Sequence, residues 1–274
     1  MRSAGPGWLG AERIEVEVCE STNDIALVHA RAGAAHGTVV IADAQTAGRG
    51  RLGRVWASPP GVNVYLSAIV RAPRPSVPVA TLAPMTLAVG VGVVDAVRQA
   101  GAARAALKWP NDVVVPGGGD GDGGDGGRGG GARKLAGVLC EVAGEGCVVV
   151  GIGVNVNVRV SKARESGLPA EIAARATSVC EERGEIVERA AFVEAMLREV
   201  EPWIDRFLEG GVPAIAAAWE ARMATGLVLR AGGAVGVAVG LDRDGALKLR
   251  GVDGVIRRVH AGMALSSSSP AQRS

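Results

Sequence analysis

Hydrophobic and polar residues alternate with two different periods in the first quarter of the chain. The run RIEVEVCE alternates apolar and polar positions, as a half-exposed strand does. The next stretch, ESTNDIALVHARAGA, repeats apolar residues at helical spacing, with a candidate N-cap at Ser21 or Thr22 and a stop at Gly33. Two apolar runs, 38–46 and 63–71, then have strand character. The pattern predicts a strand, a helix and two further strands.

The segment 75–94 is uncharged and long enough to cross a bilayer. It contains Pro75, Pro78 and Pro84 together with many Ala, Gly and Thr residues, and it continues into the amphipathic run VVDAVRQAG. We therefore expect a buried core helix that ends at Gly101, and no membrane partner.

The middle of the chain combines strand patterns with a glycine-rich stretch. ARAALKWPNDVVV predicts a strand broken by Pro110, and KLAGVLCEVAGEGCVVVGIGVNVNV predicts a hairpin that turns at 143–146. Between them lies PGGGDGDGGDGGRGGG, which has no apolar side chains to bury, so 116–132 is predicted to be a disordered insertion. Because closure entropy grows slowly with loop length, the insertion need not disturb the fold.

Helical patterns resume after this hairpin and give way to short strands. RAAFVEAMLREVEPWIDRFLEGG predicts a long helix, followed by a last short helix over 213–223. From Thr225 onward, short strands with turn signals at Asp244-Gly245 and Asp253-Gly254 predict a small barrel. The expected division is a large domain over 1–224, a small domain over 225–265 and a disordered tail over 266–274.

Bulk composition limits the classes of protein. With 274 residues and 48% hydrophobic content, the chain can hold a sizeable core and a second small domain. A formal net charge of +2 gives no argument for nucleic-acid binding. The four cysteines and three histidines lack metal-ligand or redox-motif spacing, which gives a zinc site no support. Without a signal-like N-terminus, the cysteines are expected to be reduced in a cytoplasmic protein.

The stretch AGRGRLGRVW contains a Gly-x-Gly-x-x-Gly match at Gly48, Gly50 and Gly53. A dinucleotide-binding turn needs a helix at the glycines and an acidic residue about 20 residues later. Here Pro59-Pro60 and Gly61 exclude the helix, and no Asp or Glu occurs between Asp43 and Asp95. The remaining interpretation is a flexible loop whose amides and guanidinium groups suit phosphate or carboxylate, or else a solvated hairpin tip.

Four other segments place polar or cationic residues at the ends of apolar strands. They are STN at 21–23, KWPND at 108–112, RKLAG at 133–137 and GIGVNVN at 151–157. Taken singly, each has a structural interpretation as a helix cap, a turn or a closely packed strand end. The chain has only four lysines, and two of them, Lys108 and Lys134, lie in these segments. In a chain that otherwise uses arginine, this indicates a need for a compact ammonium group.

In this order, the motifs STN, AGRGRLGRVWASPPGVNVYLS, KWPNDV, RKLAGVLCE and GIGVNVN resemble those of the biotin protein ligases. The resemblance covers 21–157 closely and the C-terminal region more loosely. It implies an α+β fold, with a mixed-sheet catalytic domain of the biotin/lipoyl ligase type, like class II aminoacyl-tRNA synthetases, and a small SH3-like β-barrel. It also implies a two-step reaction: biotin and MgATP form biotinyl-5'-AMP, and biotin then passes to one lysine of a biotin carboxyl carrier domain of acetyl-CoA carboxylase or a related enzyme.

The same resemblance implies the site residues. Those for biotin are Ser21, Thr22, Asn23, Gln45, Arg49, Gly50, Arg51, Trp56 and Lys134. Those for ATP and the adenylate are Gly48, Arg51, Arg54, Lys108, Asn111, Asp112 and Asn155, with Asp112 as the Mg²⁺ ligand. The residues expected to carry catalysis are Arg49, Arg51 and Lys134.

Individual roles follow from the matched positions. Ser21, Thr22 and Gln45 are expected to bind the ureido ring of biotin, and Asn23 to fix the start of the helix beside it. Arg49, Gly50 and Arg51 would wrap the carboxylate and phosphates, and Trp56 would form an apolar wall. Lys134 would bridge the biotin carboxylate and the α-phosphate, with Asn155 lining the same pocket.

The sequence departs from the family in three places. The Gly/Asp insertion separates KWPND from RKLAG, HAGMAL lacks the usual Gly-Asp-Val, and no helix-turn-helix fits in the 12 residues before RIEVEV. The expected protein is thus a ligase without a repressor function and without a nucleic-acid partner. The sequence does not fix its oligomeric state.

Two alternatives stay open at this point. The first is a lipoyl or octanoyl transferase or ligase of the same fold, disfavoured by the Arg/Gly motif and KWPND. The second is an RNA-binding module, disfavoured because only eight aromatic residues occur and none interleaves with arginine in the C-terminal strands.

Overall fold

The computed structural model describes residues 7–73, 77–117, 131–162 and 167–261. Most of the predicted insertion, 118–130, and the predicted tail, 266–274, lie outside the described residues. The described part of the chain forms a seven-stranded sheet with helices on both faces and a separate four-stranded sheet near the C-terminus.

The large sheet is mixed, as the family resemblance implies. Its strands are β1 (Arg13–Cys19), β2 (Val39–Gln45), β3 (Val64–Arg71), β4 (Ala106–Lys108), β5 (Asp112–Val115), β6 (Arg133–Gly144) and β7 (Cys147–Val154). The helices are α1 (Thr22–Arg31), α2 (Met85–Gln99), α3 (Ala170–Ala173), α4 (Val179–Arg183) and α5 (Arg189–Glu220). The strand order is β1-β2-β3-β7-β6-β5-β4, with β1 and β2 parallel and the other pairs antiparallel.

The two faces of this sheet bury different clusters, because successive strand residues point to opposite sides. On β3, Leu66, Ala68 and Val70 belong to the main core, which also contains buried residues of α2 and α5. On the opposite face, Ile69 packs with Leu27 of α1 in a smaller cluster. The site described below opens on the α1 face of the sheet.

Among the described residues, Val79–Gln99, which ends with helix α2, is long and apolar enough to span a membrane by length and composition alone. Eleven residues of α2, from Met85 to Val97, are buried in the fold. A Cβ atom on Gly92 would lie 2.6 Å from Val200 Cα, so α2 and α5 approach backbone to backbone. The predicted buried core helix is confirmed, and Gly101 follows it with a positive φ of 113°.

One local prediction needs correction. The strand expected to be broken by Pro110 is a hairpin, with Lys108 of β4 opposite Asp112 of β5. The predicted end of the long helix and the last short helix after it are confirmed, since α5 is interrupted at Gly211, whose φ of 63° and ψ of −155° are non-helical. Ser21 is the N-cap residue of α1, as predicted, although its side chain makes no capping hydrogen bond.

The C-terminal sheet shares the main core. Its strands are β8 (Val228–Ala231), β9 (Ala234–Leu241), β10 (Leu247–Arg250) and β11 (Ile256–Val259), all antiparallel, with both predicted Asp-Gly turns between strands. Leu247 and Leu249 are fully buried in the same cluster as α2 and α5. Trp109 Nε1 also donates to Gly245 O at 3.0 Å. The small sheet is thus packed onto the large domain.

The N-terminal segment is held by a half-buried histidine whose protonation we expect to weaken the fold. His36 stacks on Trp8 with ring centroids 4.0 Å apart, and its Nδ1 accepts from Arg71 N at 3.0 Å. Burial lowers the pKa of His36 from 6.5, Arg71 lowers it further, and the carboxylate of Asp205 opposes both. Because the folded pKa lies below the unfolded value, stability is present above pH 6.5 and is lost as pH falls below it.

We therefore expect the urea concentration at the unfolding midpoint to decrease when the pH is lowered from 7 to 5.5. The decrease should be smaller in His36→Asn, which keeps a hydrogen-bond acceptor but does not titrate. His29→Asn, at an exposed position of α1, is the matched control. An equal pH dependence in His36→Asn and the parent would contradict the assignment.

Candidate active site

A cleft opens on the α1 face of the large sheet. It gathers nine of the residues predicted from the sequence: Ser21, Thr22, Asn23, Gln45, Arg49, Gly50, Trp56, Asn111 and Lys134. Six predicted residues do not line it: Gly48, Arg51, Arg54, Lys108, Asp112 and Asn155. Segments far apart in the sequence therefore converge on one site.

Glycines on two paired strands make room for this cleft. Gly137 of β6 lies opposite Gly153 of β7. A Cβ on Gly153 would lie 2.5 Å from the Trp56 ring, and one on Gly151 would lie 2.3 Å from Asn23 Oδ1. Any side chain at these positions displaces a group of the cleft. The sequence motif GIGVNVN indicated close packing here but not what packs against it.

Polar groups form a connected hydrogen-bond chain at the N-terminus of α1. Gln45 Oε1 accepts from Thr22 N at 2.9 Å and lies 3.2 Å from Thr22 Oγ1, while Gln45 Nε2 donates to Ser58 Oγ at 2.9 Å. Ser67 Oγ lies 2.7 Å from Thr22 Oγ1 and 2.5 Å from Asn23 Oδ1. Ser67, which sequence reasoning missed, is fully buried and fixes both side chains.

The Arg/Gly loop, defined here as residues 47–56, folds back on itself. Gly50 N donates to Arg54 O at 2.7 Å and Trp56 N donates to Gly48 O at 2.8 Å. A single short turn over Arg51–Gly53 lies at the tip, inside both of these bonds, and β3 follows the loop instead of a helix. The loop is therefore not a dinucleotide-binding turn, as the flanking sequence indicates.

Lys134 extends from the start of β6 into the cleft. Its Nζ lies 2.6 Å from Asp112 Oδ1 and 5.2 Å from the centre of the Trp56 ring. Its backbone is fixed on both sides, since Lys134 N donates to Arg175 O at 2.7 Å and Thr177 N donates to Lys134 O at 2.9 Å. The ammonium group is thus held between a carboxylate and an aromatic face.

The amides predicted for nucleotide contacts have structural partners. Asn155 is buried, and its Nδ2 donates to Thr177 O at 3.0 Å behind Lys134. Asn111 lines the cleft and donates through Nδ2 to Val138 O at 2.9 Å. These contacts fix the strands that carry Lys134 and Gly137.

Arg51 lies on the loop within electrostatic reach of Asp112. Burial lowers the pKa of its guanidinium group, and the negative charge of Asp112 opposes that shift. The side chain is half-buried. A cation in this position is partly stripped of water, which strengthens its attraction for an anion.

Arg49 points to two carboxylates. Its Nη1 and Nη2 donate to Asp24 at 2.6 and 2.7 Å, and Nη2 also donates to Glu141 Oε2 at 3.1 Å. These contacts raise the pKa of Arg49 above its usual range, mainly through Asp24, while burial opposes them. Sequence reasoning missed Glu141, although a charged residue at the end of the apolar strand RKLAGVLCE was a usable signal.

Comparison with known proteins agrees with this geometry. The model of the "Biotin/lipoate A/B protein ligase family" matches residues 15–157, and that of the "Biotin protein ligase C terminal domain" matches residues 227–263. A "Biotin--[acetyl-CoA-carboxylase] ligase" of Mycobacterium tuberculosis is 36% identical over 226 residues, which is 81% of this chain and 74% of that protein. A "Bifunctional ligase/repressor BirA" of Bacillus subtilis is 32% identical over 256 residues, covering 90% and 72%.

Solved structures of biotin protein ligases are also similar to this chain in fold. The biotin protein ligase from Aquifex aeolicus in complex with biotin and ATP superimposes with a TM-score of 0.72 at 28% identity. The match covers 92% of this chain and 97% of that one.

Proposed function

The chain belongs to the biotin/lipoate A/B protein ligase family, and we propose from this premise a residue-level account of how it activates and transfers biotin. It is a biotin protein ligase, since its relatives are biotin--[acetyl-CoA-carboxylase] ligases and its structural neighbours biotin protein ligases. The observation that carries the account is the convergence of Lys134, the Gln45–Thr22 pair and the Arg/Gly loop on one cleft. The lipoyl alternative is not favoured.

Activation brings several negative charges together. A carboxylate oxygen of biotin attacks the α-phosphorus of ATP, the bond to the bridging oxygen breaks, and pyrophosphate leaves with that electron pair. In the second step the lysine amine of the carrier attacks the acyl carbon, loses a proton and releases AMP. A site for the first step therefore needs preorganised cations around the carboxylate and α-phosphate.

Lys134 and Arg51 are the cations that we assign to this task. The Lys134 ammonium is compact and reaches the cleft beside Trp56, which suits the position between carboxylate and α-phosphate. Arg51 is half-buried on a loop that can close over the intermediate. Arg54 and Lys108, which do not line the cleft in this conformation, are proposed to reach the phosphates.

The ring of biotin is proposed to bind at the inner end of the cleft. A ureido group offers one carbonyl acceptor and two N–H donors, and Ser21, Thr22 and Gln45 present hydroxyl and amide groups of both kinds there. Trp56 would cover the apolar remainder of the ligand. Gly48 has no room for a side chain, since its Cβ would lie 2.5 Å from Trp56 O.

Magnesium is proposed to enter with ATP as part of the substrate. Mg²⁺ commonly binds through one or two carboxylates together with substrate phosphates and waters. Asp112 supplies one carboxylate, whose charge is balanced by Lys134 at 2.6 Å. Asp112 thus fits the ion provided that Lys134 turns toward the substrate.

The proposed acceptor is the carrier domain of acetyl-CoA carboxylase or a related carboxylase, and the proposed location is the cytoplasm.

The test of this function is to incubate the purified chain with biotin, MgATP and such a carrier domain, and to measure the mass of the carrier by mass spectrometry. A gain of one biotinyl group supports the function, and an unchanged mass refutes it. Adding excess lipoate should leave adenylate formation from biotin unaffected.

We expect Arg51→Ala to release biotinyl-5'-AMP much faster than the parent while still forming it. The loop would lose the cation that holds it over the phosphate, and closure is what excludes water and retains the mixed anhydride. The measurement is the dissociation rate of biotinyl-5'-AMP, with Arg230→Ala on β8 as an exposed control. Retention equal to that of the parent would show that Arg51 does not hold the loop closed.

A further inference from the structure

Arg49 differs from Lys134 in the number of carboxylates that it contacts, which is two for Arg49 and one for Lys134. It contacts both Asp24 and Glu141, so two negative charges surround one guanidinium group. Such a group has little positive potential left for a carboxylate or phosphate ligand. Its expected part in wrapping the ligand therefore needs another explanation.

The two carboxylates are not equivalent. The Asp24 side chain is 44% exposed, so its ion pair with Arg49 is screened by solvent. The Glu141 side chain is only 6% exposed, and a buried carboxylate left without its cation is strongly destabilised. The Arg49–Glu141 contact is therefore the one that resists breaking when a ligand enters the cleft.

Glu141 also reaches the biotin-binding end of the cleft. Its Oε2 accepts from Asn23 Nδ2 at 2.5 Å, and Asn23 in turn contacts Ser67, which lies 2.7 Å from Thr22 Oγ1. Glu141 stands on the same face of β6 as Gly137 and Leu139, which line the cleft. One buried carboxylate thus connects the start of the Arg/Gly loop to the first turn of α1.

We propose that Glu141 is a positioning residue that anchors the base of the Arg/Gly loop through Arg49, and that this pair persists while Arg51 and the loop tip move onto the adenylate. The inference rests on the proposed function only for its effect on the release rate of biotinyl-5'-AMP. The anchor itself is a contact between two side chains of this protein. Arg49 then acts through its backbone position and not by neutralising ligand charge.

The first test uses no substrate. Hydrogen exchange of the Gly50 and Trp56 amides reports the folded loop, because both donate within it. Glu141→Gln preserves size and an acceptor for Asn23, and we expect it to speed this exchange by about tenfold or more. Asp24→Asn is the matched control and should change the exchange less than about fivefold, as for an exposed pair.

The second test separates anchoring from direct catalysis. Glu141→Gln and Arg49→Met should each raise the release rate of biotinyl-5'-AMP by about 10- to 100-fold, the cost of a misplaced loop. The rate of biotin-dependent ATP–pyrophosphate exchange at saturating substrates should fall far less than the 100- to 1000-fold typical of a lost charge-stabilising donor. The double variant should be no worse than the more affected single one, since both single variants already remove the Arg49–Glu141 contact.

Unchanged amide exchange in Glu141→Gln would overturn the anchor, and so would effects that multiply in the double variant. If Arg49→Met fails to fold because Glu141 is left unpaired, restored folding in the double variant supports the pair, and Glu141→Gln alone carries the kinetic test. A parent chain that forms no biotinyl-5'-AMP would refute the proposed function, while the amide exchange would still decide the anchor.

Discussion

Replacing Lys134 by Met should abolish most of the adenylation activity while leaving the fold intact. The ammonium group is the cation that reaches the cleft from β6, and Met keeps an unbranched side chain of similar length to pack against Trp56. Loss of one preorganised donor at developing charge costs about 100- to 1000-fold in rate. Biotin-dependent ATP–pyrophosphate exchange measures this step without the carrier domain.

The matched control is Lys162→Met, which removes another lysine from an exposed helical turn away from the cleft. We expect the control to exchange pyrophosphate like the parent, and both variants to unfold near the parent temperature. Lys134→Met also frees Asp112 from its ion pair, so a small change in stability is expected there. Near-parent exchange in a folded Lys134→Met variant would remove Lys134 from the catalytic step.

Gly153→Ala should weaken biotin binding strongly. The added Cβ would lie 2.5 Å from the Trp56 ring, which lies over the β6–β7 pair, so the indole must move out of its place in the cleft. Inserting a carbon into a packed site commonly costs about 1–3 kcal/mol, or about 5- to 150-fold in affinity. The measurement is the dissociation constant of biotin by calorimetry.

Gly144→Ala provides the control for this substitution. Gly144 ends β6, and a Cβ there would meet nothing within 4 Å. We expect its biotin affinity to match that of the parent. Equal affinities in Gly153→Ala and Gly144→Ala would mean that Trp56 does not form a wall of the biotin site.

Much of the fold follows from local sequence patterns. The alternation in RIEVEVCE gives β1, the helical spacing that ends at Gly33 gives α1, and the apolar runs give β2 and β3 near their predicted bounds. These elements are predictable because burial on one face of a strand or helix imposes a period on the sequence. The β4–β5 hairpin was missed because its turn at Trp109-Pro110 was taken as a simple interruption of one strand.

The membership of the candidate site was predictable in part, since nine of the fifteen residues named from the sequence line the cleft and six do not. Motifs at strand ends pointed to Thr22, Gln45 and Lys134, because convergent loops are where polar groups of a site meet, and the family resemblance added Trp56. The domain boundary at 224/225 stays a prediction, although the two sheets share one core. Asn155 was expected in the pocket and instead lies buried behind Lys134.

The sequence by itself determined the elements, the family motifs and the residue types available for chemistry. Only the tertiary structure decided that Arg49 contacts Glu141 rather than open solvent, and that Asn23 meets a carboxylate 118 positions away. Local periodicity depends on which face of an element is buried, and it carries no information about which distant side chain lies opposite. Charge partners across a sheet depend on strand order and register, which the chain sets only when it packs.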